Sequence, residues 1–147
     1  MKKNVPITKN SQIKSSIIEL KNETSEWISE IKFIYIEQDF LEELLAEHVM
    51  GLCKTNNYSQ AKLFLKGITH ERKLGKLLEE EIRNHNVNLA LLIENIYLKK
   101  EDSFRDKHKV LLSEVKNYIQ NFKYIKEKVF ELVLQIMKSE KKKKLLL

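Results

Sequence analysis

The sequence is poor in the residues that interrupt helices. It contains one proline, Pro6, and three glycines in 147 residues. A β-rich protein of this length needs more turn-forming residues than that. Hydrophobic residues make up 42% of the chain, which is normal for a folded domain. These scarcities predict an all-α domain built from long helices.

Cysteine and long apolar runs are also scarce, and each scarcity excludes a class of protein. The single cysteine, Cys53, excludes an intramolecular disulfide and a cysteine-based zinc site. No run approaches the roughly 18 apolar residues that a membrane span needs. The lysines that follow Met1 precede no apolar signal segment. We therefore expect a cytoplasmic protein without a transmembrane segment.

The net charge of +6 is concentrated at the two ends of the chain. Residues 1–10 carry three lysines and no acid, and residues 138–147 carry five lysines against one glutamate. Residues 11–137 are therefore close to neutral, at −1. A nucleic-acid-binding domain normally has a basic face, so this pattern argues against nucleic acid as a partner. We expect a basic N-terminal tail, a single helical domain over residues 11–137 and a lysine-rich C-terminal tail. A further alternative is binding of an anionic surface or nucleic acid through the tails, above all through Lys141, Lys142, Lys143 and Lys144.

Apolar residues recur with a 4-3 spacing along three segments, which is typical of helices packed as in a coiled coil. The segments run from about residue 10 to 53, from about 58 to 100 and from about 103 to 138. The sequences CKTNNYS (53–59) and KKEDS (99–103) separate them. Short connections make consecutive helices antiparallel. The spacing thus predicts an up-down-up bundle of three long helices.

The asparagine-rich stretch NHNVN at residues 84–88 leaves one alternative open. Such polar segments form turns, and a turn here would give a four-helix bundle. However, the apolar spacing resumes in phase at Leu89, Leu92 and Ile96. A loop usually disturbs that phase, so we favour one continuous helix, with any kink at the asparagines.

Several glutamates and histidines fall within the predicted apolar faces. On the first helix, Glu30 and Glu37 lie between the 4-3 seam and a second apolar strip. On the second helix, His85 lies near the middle of the apolar face, with Glu81 one turn before it. His108 occupies the seam of the third helix. These positions predict polar groups inside the bundle.

The predicted turns bring some of these residues to one level. A turn near residue 55 places Glu30 beside Glu81, and a turn near residue 102 places Tyr118 level with His85. We expect a buried hydrogen-bonded layer that fixes the register of the helices. Its members are Glu30, Glu37, Glu81, His85, His108 and Tyr118.

Two other interpretations of these residues stay open. Carboxylates and imidazoles that project inward from facing helices bind metal in di-iron bundles. Glu30, Glu81 and His85 are then candidate ligands of a transition metal in a hemerythrin-like site. The Glu-x-x-His pairs of those bundles are missing, because Glu81 and His85 are one residue too far apart. Alternatively, the glutamates extend to solvent beside neighbouring lysines. The buried-layer interpretation requires no cofactor.

A second apolar strip on the first helix exceeds what a three-helix core requires. It consists of Phe33, Phe40 and Leu44. Such a surplus indicates a further helix or a second copy of the chain packed against it. No glycine-rich phosphate loop is present, and Cys53 stands at a helix C-terminus that disfavours a thiolate. We therefore expect a non-enzymatic protein that works by interaction with a protein partner or with itself as a homodimer.

Three short motifs occur in order along these helices. They are WISEIKFIYIE (27–37), EEEIRNH (79–85) and FRDKHKVLL (104–112). Their order, within residues 23–137, resembles that of a family of short, uncharacterised all-helical proteins whose first helix carries Trp-x-x-Glu-hydrophobic-x-Phe. The resemblance implies three long helices and no assigned activity.

Overall fold

The protein is all-α, and its four helices pack against one another. The computed structural model describes residues 9–94 and 101–146. The helices are α1 (Lys9–Glu47), α2 (Val49–Lys54), α3 (Tyr58–Glu94) and α4 (Glu101–Leu146). No strand occurs in these two ranges, so the predicted all-α bundle dominated by three long helices is confirmed. Within the same ranges, no helix combines the length and the apolarity needed to cross a bilayer.

The first predicted helix is divided at a single residue. His48 separates α1 from α2, and its φ of −102° and ψ of 17° lie outside the α-helical region. The short helix α2 ends at Lys54, and Asn56 follows with a positive φ of 59°. Asparagine tolerates this left-handed conformation better than most residues. It therefore forms the turn into α3 that CKTNNYS predicted.

The helix α3 is continuous through residues 84–88, so the alternative break in this segment does not occur. His85 and Leu89 are buried. The side chain of Asn86 lies 3.1 Å from the hydroxyl of Thr24 on α1, within hydrogen-bonding distance. The polar side chains of this segment are thus accommodated on a regular helix.

The helix α4 continues to Leu146 instead of ending near Lys138. The predicted lysine-rich tail is therefore helical as far as it is described. Lysine has a high helix propensity, and Lys143 and Lys144 in the last turn offset the negative end of the helix dipole. Residues 1–8 of the predicted N-terminal tail lie outside the described part of the chain.

The chain divides into two compact units. Unit 1 consists of Met1–Glu30 and Leu78–Val115, and unit 2 consists of Ile31–Leu77 and Lys116–Leu147. Each unit draws segments from α1, α3 and α4.

The core of each unit consists of the residues at 4-3 spacing. In unit 1 the buried apolar side chains include Ile17, Trp27, Ile82, Leu89, Leu92, Leu111 and Val115. In unit 2 they include Leu41, Leu45, Leu52, Ile68, Phe122, Val129 and Ile136. Burial of each such side chain stabilises its unit by roughly 1.5–3 kcal/mol.

Facing residues fix the register of α3 against α4. In unit 1 His85 faces His108, and in unit 2 Gly75 faces Tyr118. In two antiparallel helices the numbers of facing residues have a constant sum, which the position of the turn sets. Both pairs give a sum of 193, whereas a turn near residue 102 requires about 203. Relative to α3, the α4 residues therefore lie about 15 Å from their predicted levels, at 1.5 Å per residue. The helix α4 already includes residues 101–103, so the turn predicted at KKEDS is placed too late in the sequence.

Candidate functional site

The predicted buried layer is not assembled as one site. Glu30 and Glu81 are exposed, and Glu37 is half-buried. The carboxylate of Glu81 lies 3.9 Å from the ammonium of Lys107 on α4. The apolar strip beside Glu30 is left uncovered, with Phe33 exposed, so a residue between the strip and the seam faces solvent. The layer would have required both strips to be buried.

The candidate metal ligands are likewise separated. His85 is buried, whereas Glu30 and Glu81 lie at the surface. Over residues 9–94 and 101–146, no group of three or more histidine, cysteine, aspartate or glutamate side chains is arranged to hold a metal ion. The structure therefore does not bring the three predicted ligands together.

His85 and His108 instead form a hydrogen-bonded chain with Glu23 in unit 1. Nε2 of His85 lies 3.1 Å from Nδ1 of His108, and Nε2 of His108 lies 2.8 Å from Oε2 of Glu23. The two histidines are 2% and 4% exposed. Glu23 lies at the surface. We call His85 and His108 the imidazole pair; it connects the core of unit 1 to a solvated carboxylate.

The carboxylate of Glu23 determines where the protons of this chain lie. An ionised carboxylate only accepts hydrogen bonds, so Nε2–H of His108 donates to it. In a neutral His108, Nδ1 then carries a lone pair and accepts from Nε2–H of His85. The chain ends at Nδ1 of His85, which is buried and has no hydrogen-bond partner among the described residues. That nitrogen is therefore the one ring nitrogen of the imidazole pair whose lone pair accepts no hydrogen bond from a described residue.

The surroundings of the imidazole pair keep His85 neutral. The ring centroid of Trp27 lies 4.6 Å from that of His108. Burial, together with the charges of His108 and Lys107, lowers the pKa of His85 to about 4. A cleft of about 350 Å³ between α3 and α4 borders His85, with Lys107 and Glu81 on its rim. At pH 7 the site is therefore an uncharged imidazole beneath a charged surface.

Tyr118, the last member of the predicted layer, belongs to a polar cluster in unit 2. Tyr118, Gln38 and Glu71 are 4%, 0% and 6% exposed. The Tyr118 hydroxyl, both amide atoms of Gln38 and Oε2 of Glu71 are buried without a hydrogen-bond partner among the described residues. Burial raises the pKa of Tyr118, and the nearby amide of Gln38 opposes that shift. The position of Gln38 in the apolar 4-3 seam of α1 was the sequence signal for this cluster.

The predicted interface residues lie in one row on α1, in unit 2. The row is formed by Phe33, Glu37, Phe40 and Leu44, which follow one another at intervals of three or four residues. Phe33 and Phe40 are 61% and 55% exposed, and Leu44 is half-buried. The part of the chain that the structure describes therefore leaves this strip largely uncovered.

A matching row lies on α4 of the same unit. It begins at Lys126, whose ammonium lies 2.7 Å from the carboxylate of Glu37, and this ion pair joins the two rows. The row continues at helical spacing with Phe130, Leu134 and Met137, each about half exposed. We call the two rows together the α1–α4 face. The second row was not among the predicted interface residues, because the pairing of α1 with α4 cannot be read from helical periodicity.

Lysines border the end of the α1–α4 face. A cleft beside α2 is lined by His48, Leu134, Met137, Lys138, Glu140, Lys141 and Lys144. Two of the predicted tail lysines, Lys141 and Lys144, are thus next to apolar residues of the face. Lys142 and Lys143 are exposed and do not line this cleft.

Comparison of the chain with protein-family models, with characterised proteins and with solved structures found no match. The resemblance of the three sequence motifs therefore identifies no family for this chain.

Proposed function

We propose that the protein has a non-enzymatic role in a protein assembly and that it associates with a second copy of itself through the α1–α4 face. The observation that carries this proposal is the exposure of large apolar side chains on two neighbouring helices of one unit. Monomeric soluble proteins rarely expose a large contiguous apolar patch. An exposed free thiol at Cys53 fits a reducing compartment such as the cytoplasm.

The size of the face suits helix-on-helix packing. A two-helix face can take two helices of a second copy and form a four-helix layer. Full burial of one Phe, Leu or Met side chain stabilises a complex by roughly 1.5–3 kcal/mol. Association costs about 4–15 kcal/mol in lost translational and rotational freedom. Several side chains of the face are thus needed together, and loss of one central contact can abolish the dimer.

The charges of α1 and α4 favour a second copy as the occupant. α1 carries nine acidic residues against four lysines, and α4 carries twelve basic residues against seven acidic ones. In a two-fold symmetric dimer the same face meets itself, so α1 of one copy can pack against α4 of the other. The acidic helix then meets the basic helix at both contacts, which also speeds association.

The proposal is tested by placing a charge in the middle of the face. Phe40→Glu should turn a dimer into a monomer, because the carboxylate would be desolvated between two apolar surfaces. Leu63→Glu is the matched control, since Leu63 lies on α3 and is 66% exposed but belongs to neither row. Sedimentation velocity at about 5 to 300 μM measures the mass, and far-UV circular dichroism measures the helix content.

A dimeric wild type, a dimeric Leu63→Glu variant and a monomeric, fully helical Phe40→Glu variant support the proposal. A wild type that is monomeric over the whole concentration range contradicts it. So does a Phe40→Glu variant that dimerises as well as the control.

A further inference from the structure

The hydrogen bond within the imidazole pair needs one proton between its two nitrogens. Nε2 of His85 and Nδ1 of His108 face each other at 3.1 Å. One of them must be the donor and the other the acceptor. With no proton the two lone pairs repel, and with two protons the two N–H groups repel. The bond therefore reports how many protons the pair holds.

A first added proton leaves the bond intact. It binds at the unpartnered Nδ1 of His85, and the proton on Nε2 of His85 moves to Nδ1 of His108. His108 then donates from both nitrogens, to Glu23 and to His85, and becomes an imidazolium beside a carboxylate 2.8 Å away. Both N–H groups of His108 therefore still have an acceptor.

A second added proton cannot be taken up with the hydrogen bonds intact. Both facing nitrogens would carry a hydrogen, and two imidazolium rings would lie with their centroids 5.2 Å apart in the core. Buried like charges of this kind are strongly unfavourable. The pair can only separate, which exposes the rings to water.

We propose that the Glu23–His108–His85 chain is a two-step acid sensor: it takes up one proton with its hydrogen bonds intact, and the second proton opens unit 1. The sensor lies in unit 1 and does not depend on the α1–α4 face, whose residues belong to unit 2.

The charged groups around the pair act on the two steps differently. Glu23 on α1 favours the first proton, because it accepts a hydrogen bond from the imidazolium. Lys107 on α4 opposes the second proton by repulsion. Glu81 on α3 lies 3.9 Å from Lys107 and partly offsets its charge. Burial raises the pKa of Glu114, and the nearby Glu81 raises it further. Arg105 is half-buried on α4, one turn before His108, and adds a further positive charge.

The sensor has its own reporter. Trp27 is the only tryptophan of the chain, and its ring lies 4.6 Å from that of His108. An imidazolium quenches the fluorescence of an indole in contact with it, whereas a neutral imidazole quenches it less. The first proton should therefore lower the emission of Trp27 without loss of helix. The second should shift the emission to longer wavelength as the ring becomes exposed.

The experiment follows Trp27 emission and far-UV circular dichroism of the full chain from pH 8 to pH 2. His85→Gln is the test variant, because its amide can donate to or accept from His108 but takes up no proton. His70→Gln is the matched control at an exposed histidine of unit 2. We expect two fluorescence steps in the wild type and in the control, and only the first step in His85→Gln. The opening of that variant should move at least about one pH unit lower, the scale at which coupled sites titrate separately.

Three results would overturn the proposal. One is constant Trp27 emission from pH 8 to pH 2 in a protein that keeps its helices. Another is an opening of His85→Gln at the wild-type pH. The third is measured on the wild-type protein alone and so does not require the variant to fold. It is a set of nitrogen chemical shifts at pH 8 that show both imidazoles as mixtures of tautomers. Shifts that show both histidines fixed with hydrogen on Nε2 support it.

Discussion

Tyr118 of α4 packs against the backbone of α3 at Gly75, where a β-carbon would lie 2.8 Å from the Cζ atom of the tyrosine ring. Two carbon atoms do not approach so closely without a shift of one of them. Gly75 is therefore required by the neighbouring ring and not by a turn. A glycine inside a helix costs about 0.5–1 kcal/mol relative to alanine, and the close approach of Tyr118 explains why it is kept here.

Gly75→Ala should destabilise the protein although alanine is the better helix former. The added methyl group has to displace Tyr118 or α4, and overpacking of this kind costs about 1–3 kcal/mol. Urea unfolding followed by circular dichroism measures the change in the free energy of unfolding.

Gly67→Ala is the matched control for this prediction. A β-carbon at Gly67 would meet only Cδ1 of Ile125, at an ordinary 3.4 Å. The substitution should therefore stabilise the protein by about 0.5–1 kcal/mol through helix propensity alone. Equal effects at the two glycines would show that Tyr118 imposes no constraint on α3.

Replacement of the buried Gln38 by an apolar residue of similar shape should stabilise the protein. Neither amide atom of Gln38 has a hydrogen-bond partner among the described residues, and the side chain is fully buried. Removal of a buried polar group without a partner gains about 1–3 kcal/mol. Gln38→Met should raise the midpoint of urea unfolding, whereas Gln120→Met, at an exposed position of α4, should leave it nearly unchanged. A lower midpoint in Gln38→Met would mean that Gln38 forms hydrogen bonds that stabilise unit 2.

Glu71 should make the protein less stable as the pH rises. Burial raises the pKa of its carboxyl above the ordinary value of 4.5, and the effect of His70 opposes this only in part. The folded state therefore binds a proton more tightly than the unfolded state, and stability is lost as the pH rises through the folded-state pKa. Glu71→Gln should raise the urea midpoint at pH 7 and have little effect near pH 4. Glu80→Gln, at an exposed position, is the control; a gain of the same size there would point to net charge instead of burial.

His85 should have the opposite effect on stability. Its pKa falls from the ordinary 6.5 to about 4 in the folded state, chiefly through burial. Between these two values the unfolded state binds more protons, so stability decreases as the pH falls through this range. The loss amounts to about 3 kcal/mol at most, at 1.36 kcal/mol per pKa unit. Urea unfolding at pH 7 and pH 4.5 should show this loss in the wild type and in His70→Gln but much less of it in His85→Gln.

The level of α1 against α3 could be predicted from the sequence, whereas that of α3 against α4 could not. The guanidinium of Arg72 pairs with Asp39 of α1 at 2.8 Å, and these numbers add to 111, as a turn near residue 55 requires. The turn residues Asn56 and Asn57 mark that connection clearly. The second connection contains neither glycine nor proline. The register of α3 against α4 is then decided by packing, which helical periodicity does not contain.

The unpredicted register of α3 against α4 also determines which of the buried polar residues lie together. Periodicity placed His85, His108 and Tyr118 on buried faces, and all three are buried. The displaced register then joins His85 to His108 and removes Tyr118 to a different unit. Periodicity places Glu30 inside the bundle only if the second strip of α1 is also buried, and Phe33 and Phe40 of that strip are exposed. The number of apolar residues on a helix does not tell whether the chain itself covers them.

The two units limit how the length of this protein can change. The chain passes between them after Glu30, Leu77 and Val115, each time inside a long helix. One inserted residue at any of these points would rotate everything beyond it by about 100° around the helix axis. The apolar seam of the following unit would then turn out of its core. Insertions and deletions in the long helices are therefore tolerated only as whole heptads, whereas the described connection between Lys54 and Tyr58 can take single-residue changes.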